Sequence, residues 1–228
     1  MTDRNFKKKT DTEFVNLCSE LARPANFRRR VKLFHHLSQV SPFPHLVGFS
    51  GLPSYEIYAE RRSLVSSDHS FLLRILHDQL SGRLEAHLLH PSEHRYRYTF
   101  IVLESLKHEF LTDFHGWAFL GQIEEDRALA AVSVSPPAAV FELKPDDEPV
   151  LIFAEEELKE CLVKTEFFSV GPQPTLKVRL VNLPEDYEIK RLVLVIDDQE
   201  TLIAVPQKDL TFYELPESFR TLRIYLYE

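Results

Sequence analysis

"SSDHSFLLRILHDQLSGRLEAHLLHP", residues 66–91, is the stretch on which the fold of the first half turns. Phe71, Leu72, Ile75, Leu76 and Leu80 recur at the three- and four-residue steps of an amphipathic helix. Ser67 or Asp68 stands where an N-cap belongs, and Pro91 stands where such a helix would stop. Gly82 weakens its middle. The stretch is predicted to be helical.

The segments upstream read the same way. In "DTEFVNLCSELARP" (11–24), Phe14, Leu17, Cys18 and Leu21 form one stripe, with Asp11 or Thr12 to cap it and Pro24 to end it. A basic helix is predicted over 26–39. Phe27, Val31, Phe34 and Leu37 (or Leu33) line one face, and Arg28, Arg29, Arg30 and Lys32 lie mostly off it. The Pro- and Gly-bearing stretch 41–66 yields only short extended pieces. "RYRYTFIVLESL" (95–106) alternates as a strand does. Tyr96, Tyr98, Phe100 and Val102 share one face, and Arg95, Arg97 and Thr99 the other. Residues 107–132 admit a helix, though "FHGWAFLGQI" reads equally well as extended.

Downstream the period changes. "SVSPPAAVFELKPDDEP" (133–149) combines four prolines with an acidic cluster and marks a boundary. Beyond it, "AVFEL", "VLIFA", "LVKTEFFSV", "TLKVRLVNL", "IKRLVLVID", "TLIAV", "LTFYEL" and "TLRIYLYE" read as short strands separated by turn chemistry. Only "AEEELKECL" (154–162) looks helical. The expected fold is therefore α+β: a helix-rich N-terminal domain over 1–135, then an antiparallel immunoglobulin-like β-sandwich over 136–228.

Charge divides the chain at the same place. Residues 1–135 carry 17 basic and 16 acidic side chains, and residues 136–228 carry 10 and 19. All 10 histidines precede residue 116. Two cysteines far apart, Cys18 and Cys161, suit inert thiols in a reducing cytoplasm. The basic start "MTDRNFKKKTDTEF" has no apolar region behind it, so no secretory leader is expected. No apolar run approaches the ~20 residues that span a bilayer, so no membrane partner is expected either.

The search for chemistry gives mostly exclusions. Only 6 glycines occur, with no G-x-G-x-x-G and no G-x-x-x-x-G-K, so nucleotide-binding loops are not expected. No nucleophile elbow or cysteine-protease signature is present. His77, His87, His90 and His94 have helical spacings that can gather ligands. They lack H-E-x-x-H and any cysteine partner, so we read them as ordinary side chains and expect no metal and no cofactor. Arg83 with His90 would supply the acid–base and phosphate-stabilising groups of a nuclease, though such pairs arise easily by chance. Asp197-Asp198, after a strand, reads as a hairpin turn.

The functional expectation is a non-catalytic accessory or regulatory subunit that binds a specific protein within a larger complex. Its candidate contacts are Arg28, Arg29, Arg30, Lys32, Arg95, Tyr96, Arg97 and Tyr98. One alternative is a nuclease or metal-dependent hydrolase in the His-rich half. The other is a nucleic-acid-binding accessory factor acting through the basic helix 26–39, which the overall acidity disfavours.

Overall fold

The computed structural model describes residues 30–35, 58–123, 129–144, 147–169, 174–206, 210–216 and 218–228. The helix expected over 11–24, and Arg28 and Arg29, lie outside them. The described chain forms two compact units, Arg30–Pro136 and Pro137–Glu228.

The first unit is a β-structure, which corrects the helix-rich expectation. Its strands are β1 (Val31–His35), β2 (Tyr58–Ser66), β3 (Leu72–Asp78), β4 (Leu84–Leu89), β5 (Phe100–Leu103), β6 (His108–Leu111), β7 (Trp117–Gly121) and β8 (Val132–Ser135). They form one antiparallel sheet in the order β6-β5-β8-β1-β2-β3-β4-β7. Helix there is limited to a single turn, Glu93–Tyr96, among the described elements.

Residues 66–91 are a turn followed by a hairpin. Asp68, expected as a helix cap, accepts hydrogen bonds from the Ser70 N–H (3.1 Å) and from the hydroxyls of Ser66 (2.5 Å) and Ser70 (2.8 Å). A carboxylate that can cap a helix can equally close a turn between strands. Further on, Asp78 Oδ1 accepts the Leu80 N–H (2.9 Å), the Gly82 N–H donates to the Asp78 carbonyl (2.8 Å), and Gly82 adopts φ +69°. The glycine that would weaken a helix is the left-handed residue of the β3–β4 turn. Leu80, expected in the apolar stripe, sits at the turn tip and is 82% exposed.

The expected basic helix 26–39 is corrected in the same way: Val31–His35 is strand β1. Leu33 is buried, while Lys32 and Phe34 face solvent. The expected strand over 95–106 shortens to Phe100–Leu103, because the helical turn and a left-handed Tyr98 (φ 49°) interrupt the alternation.

The eight-stranded sheet curls. Leu33, Leu64, Leu73, Ile75, Leu88, Ile101, Leu120 and Val134, drawn from seven strands, fall into one buried cluster, with Phe110 of β6 packed against it. The two edge strands, β6 and β7, are joined by residues 112–116. Such a link, six Cα steps from Leu111 to Trp117, reaches about 22 Å at most, whereas the edges of a flat eight-stranded sheet stand about 33 Å apart. The sheet therefore rolls around its own core and leaves a seam between β6 and β7, which no ladder closes.

The second unit has β9 (Ala139–Leu143), β10 (Val150–Ala154), β11 (Leu162–Ser169), β12 (Pro174–Val181), β13 (Arg191–Ile196), β14 (Glu200–Ala204), β15 (Leu210–Glu214) and β16 (Leu222–Tyr227). These are the eight stretches read as strands from the sequence. They make a five-stranded sheet, β10-β9-β16-β13-β14, and a three-stranded sheet, β11-β12-β15. Phe141, Leu194 and Ile224 from the first sheet share one core with Val163, Leu176, Val178 and Tyr213 from the second. The pairing is antiparallel throughout. The order is not that of an immunoglobulin domain, which sets four strands against three and keeps its first and last strands in different sheets. Here β9 and β16 are neighbours. The helix expected over 154–162 is only a 3-10 turn, Glu156–Leu158. Asp197 and Asp198 lie in the β13–β14 turn with φ 51° and 58°.

Candidate functional site

Most of the described candidate contact residues are engaged within the fold. Arg30 forms ion pairs with Glu104 (2.9 Å) and Glu109 (3.7 Å). Lys32 is exposed on β1. The Arg95 carbonyl accepts the Thr99 hydroxyl at 2.7 Å. The Tyr96 side chain packs on the core cluster. Arg97 pairs with Glu93 (2.8 Å) and lies 3.7 Å from the centre of the Phe114 ring. Tyr98 is buried and offers a partner almost no surface.

The histidines are dispersed by the strand geometry. Arg83 precedes β4 and His90 follows it. Seven strand residues span about 23 Å, so the two do not meet as they would across two helical turns. His90 packs against the Phe71 ring (4.5 Å between centroids), and its Nδ1 accepts the Ser92 N–H at 2.9 Å. His87 packs against Trp117 at 4.8 Å. Burial pushes both imidazoles below the usual histidine range. His94 pairs with Glu93 (3.9 Å) and His77 lies on β3. Among the described residues, no three His, Cys, Asp or Glu side chains converge as a metal ion would require. Cys161 is buried and unpaired, and burial pushes its thiol up to about 11.

A different set of residues does converge, at the seam. On β7, Ala118 and Leu120 point into the core, while Trp117 and Phe119 face out at 38% and 55% exposure. The register sets Trp117 beside His87 and Phe119 beside Glu85 on β4. Next along the same face, Arg74 stands beside His87 and Leu76 beside Glu85 on β3. Glu85, Leu111, Asp113, Trp117, Ala118 and Phe119 line a depression of about 370 Å³, reaching from β6 across to β7.

Its two carboxylates are held differently. The charge of Glu85, with some burial and Asp78, raises the nearby Tyr58 phenol above the usual tyrosine range. Asp113 Oδ1 accepts the N–H groups of His115 (2.8 Å) and Trp117 (2.9 Å), and its own N–H donates to the Trp117 carbonyl (2.7 Å). This turn fixes where Trp117 leaves the loop. Gly116 makes it possible: at φ +81° its missing Cβ would lie 2.5 Å from the Leu88 carbonyl oxygen and 2.8 Å from the Tyr96 ring. The Arg83 guanidinium already lies over the Phe119 ring at 5.5 Å.

The cleft is therefore aromatic and acidic. Its signal in the sequence is the alternation Trp117, Ala118, Phe119, Leu120. The carboxylate partners come only from pairing register and from the loop.

Among the described residues, no helix is long and apolar enough to cross a membrane. Compared with known protein families, curated proteins and solved structures, the chain matches none.

Proposed function

We propose that the chain is a non-catalytic accessory subunit that binds a specific protein through the seam of its first unit. The partner inserts a lysine or arginine side chain between Trp117 and Phe119, beside the carboxylates of Glu85 and Asp113. The observation that carries this reading is the convergence of two exposed aromatic rings and two carboxylates in one depression. A cation over an aromatic face gains about 0.5–2 kcal/mol, more as water is excluded. Exposed Trp and Tyr with nearby Arg are also the residue types that dominate protein-interface energetics. Tyr58, 43% exposed, extends the surface across β2.

Nucleic acid is the weaker reading. The carboxylates of the cleft repel phosphate, and Arg30 is engaged by two of its own acidic neighbours. The proposal places the protein in the cytoplasm, where a buried, unpaired Cys161 thiol remains reduced.

Affinity capture from the source organism tests the surface. A stoichiometric protein partner should be retained by the wild type and by Ile203→Asp, a control on β14. Phe119→Ala should weaken retention at least about tenfold. Equal capture by all three, or capture of RNA or DNA in place of a protein, would overturn the proposal.

A further inference from the structure

We propose that the protein self-associates through β11 of its second unit, two copies pairing antiparallel about a two-fold axis at Thr165. The proposal is independent of the seam, which belongs to the other unit. Among the described residues β11 is an edge strand, hydrogen-bonded to β12 on one side only. It leaves large apolar side chains in solvent, with Leu162 50% and Phe167 46% exposed. An eight-residue edge of this kind is a template for another strand unless something covers it.

The sequence of the strand says what covers it. Residues 162–168, "LVKTEFF", are self-complementary about their centre. In an antiparallel pair centred on Thr165, Lys164 of each copy stands opposite Glu166 of the other. Leu162 stands opposite Phe168, and Val163 opposite Phe167. Residues directly opposite share a face, so the charged pairs and the Leu–Phe pairs lie outside, and the Val–Phe pairs lie on the core side.

Lys164 supplies a second argument. Within its own sheet its cross-strand neighbour is Arg179, a like charge. Among the described residues no carboxylate pairs with Lys164, whereas Glu166 is held by Lys177 at 2.6 Å. Like charges directly opposite are unfavourable, and the Glu166 of a second copy offsets that repulsion.

A groove awaits the incoming strand. Phe141, Leu151, Val163, Phe167 and Phe219 line a cavity of about 770 Å³ beside β11, with Phe167 stacked on Phe219 at 5.9 Å. Phe167 of the second copy, exposed in the single chain and opposite Val163 on this face, is of the size and polarity to cover its open side.

Sedimentation of the full chain tests the pairing. The wild type should be a dimer at tens of micromolar. Lys164→Glu and Glu166→Lys each place like charges at both symmetry-related positions and should raise the dissociation constant at least about tenfold. The double variant Lys164→Glu/Glu166→Lys should recover the dimer. An equimolar mixture of the two single variants should form the heterodimer, since each then meets its opposite charge. A monomeric wild type, or single variants that dimerise undiminished, would overturn the proposal. So would a mixture no more associated than its components.

Discussion

Gly116 is the residue on which the seam depends most. It joins the loop from β6 to the end of β4, its carbonyl accepting the Leu88 N–H at 2.8 Å. Any side chain there meets backbone at 2.5 Å while adopting a positive φ. Overlap and strain each cost about 1–3 kcal/mol, so Gly116→Ala should lower stability by about 3 kcal/mol, read as the shift of a urea midpoint. Asp68 gives a test by pH. Three hydrogen bonds from Ser66 and Ser70 lower its carboxyl from the ordinary 3.8 to about 2. A group depressed on folding contributes stability that is fully present above its unfolded pKa and lost as pH falls through its folded one. The stability gap between wild type and Asp68→Asn should therefore be widest above about pH 4 and shrink towards pH 2. A gap that stays constant across that range would show that the carboxylate is not held this way.

At the scale of elements, the hairpin of residues 66–91 makes the sharpest prediction. Leu80→Lys replaces a side chain at an exposed turn tip and should change stability by less than about 0.5 kcal/mol. On the face of a packed helix, loss of the same leucine would cost about 2–5 kcal/mol. The sequence admitted both readings because "FLLRIL" satisfies both periods. Leu73 and Ile75 point inward as a strand requires, while Leu72 and Leu76 complete a helical stripe equally well. The discriminating signal was local, the turn from Asp78 to Gly82, and it resembles a weak spot in a helix as closely as it resembles a hairpin. The second half was legible because its alternation is clean. In β12, Leu176, Val178 and Leu180 are buried and Arg179 between them is exposed. Its strand order was not legible, since which strands become neighbours depends on pairing between distant segments. The same holds for the seam. Trp117 and Phe119 stand next to each other in sequence, but Glu85 reaches them only through the register of β4 with β7.

At the scale of the whole molecule, each unit carries its own core and its own proposed binding surface. In the two proposals, the seam cleft takes a cation from a different protein and the β11 edge takes a second copy of this one. The two predictions separate cleanly: charge reversal at Lys164 should dissociate copies without touching the seam, and Phe119→Ala should release the partner while leaving the dimer intact. The cation chemistry of the seam is the central claim, and one comparison tests it most directly. The affinity of the captured partner is measured for the wild type, for Glu85→Gln and for Glu85→Lys, each checked for an unchanged fold. A partner that places a lysine or arginine in the cleft should bind Glu85→Gln modestly more weakly and Glu85→Lys at least about a hundredfold more weakly, as expected when like charges are juxtaposed in an interface. Equal affinity for all three, or tighter binding to Glu85→Lys, would contradict it.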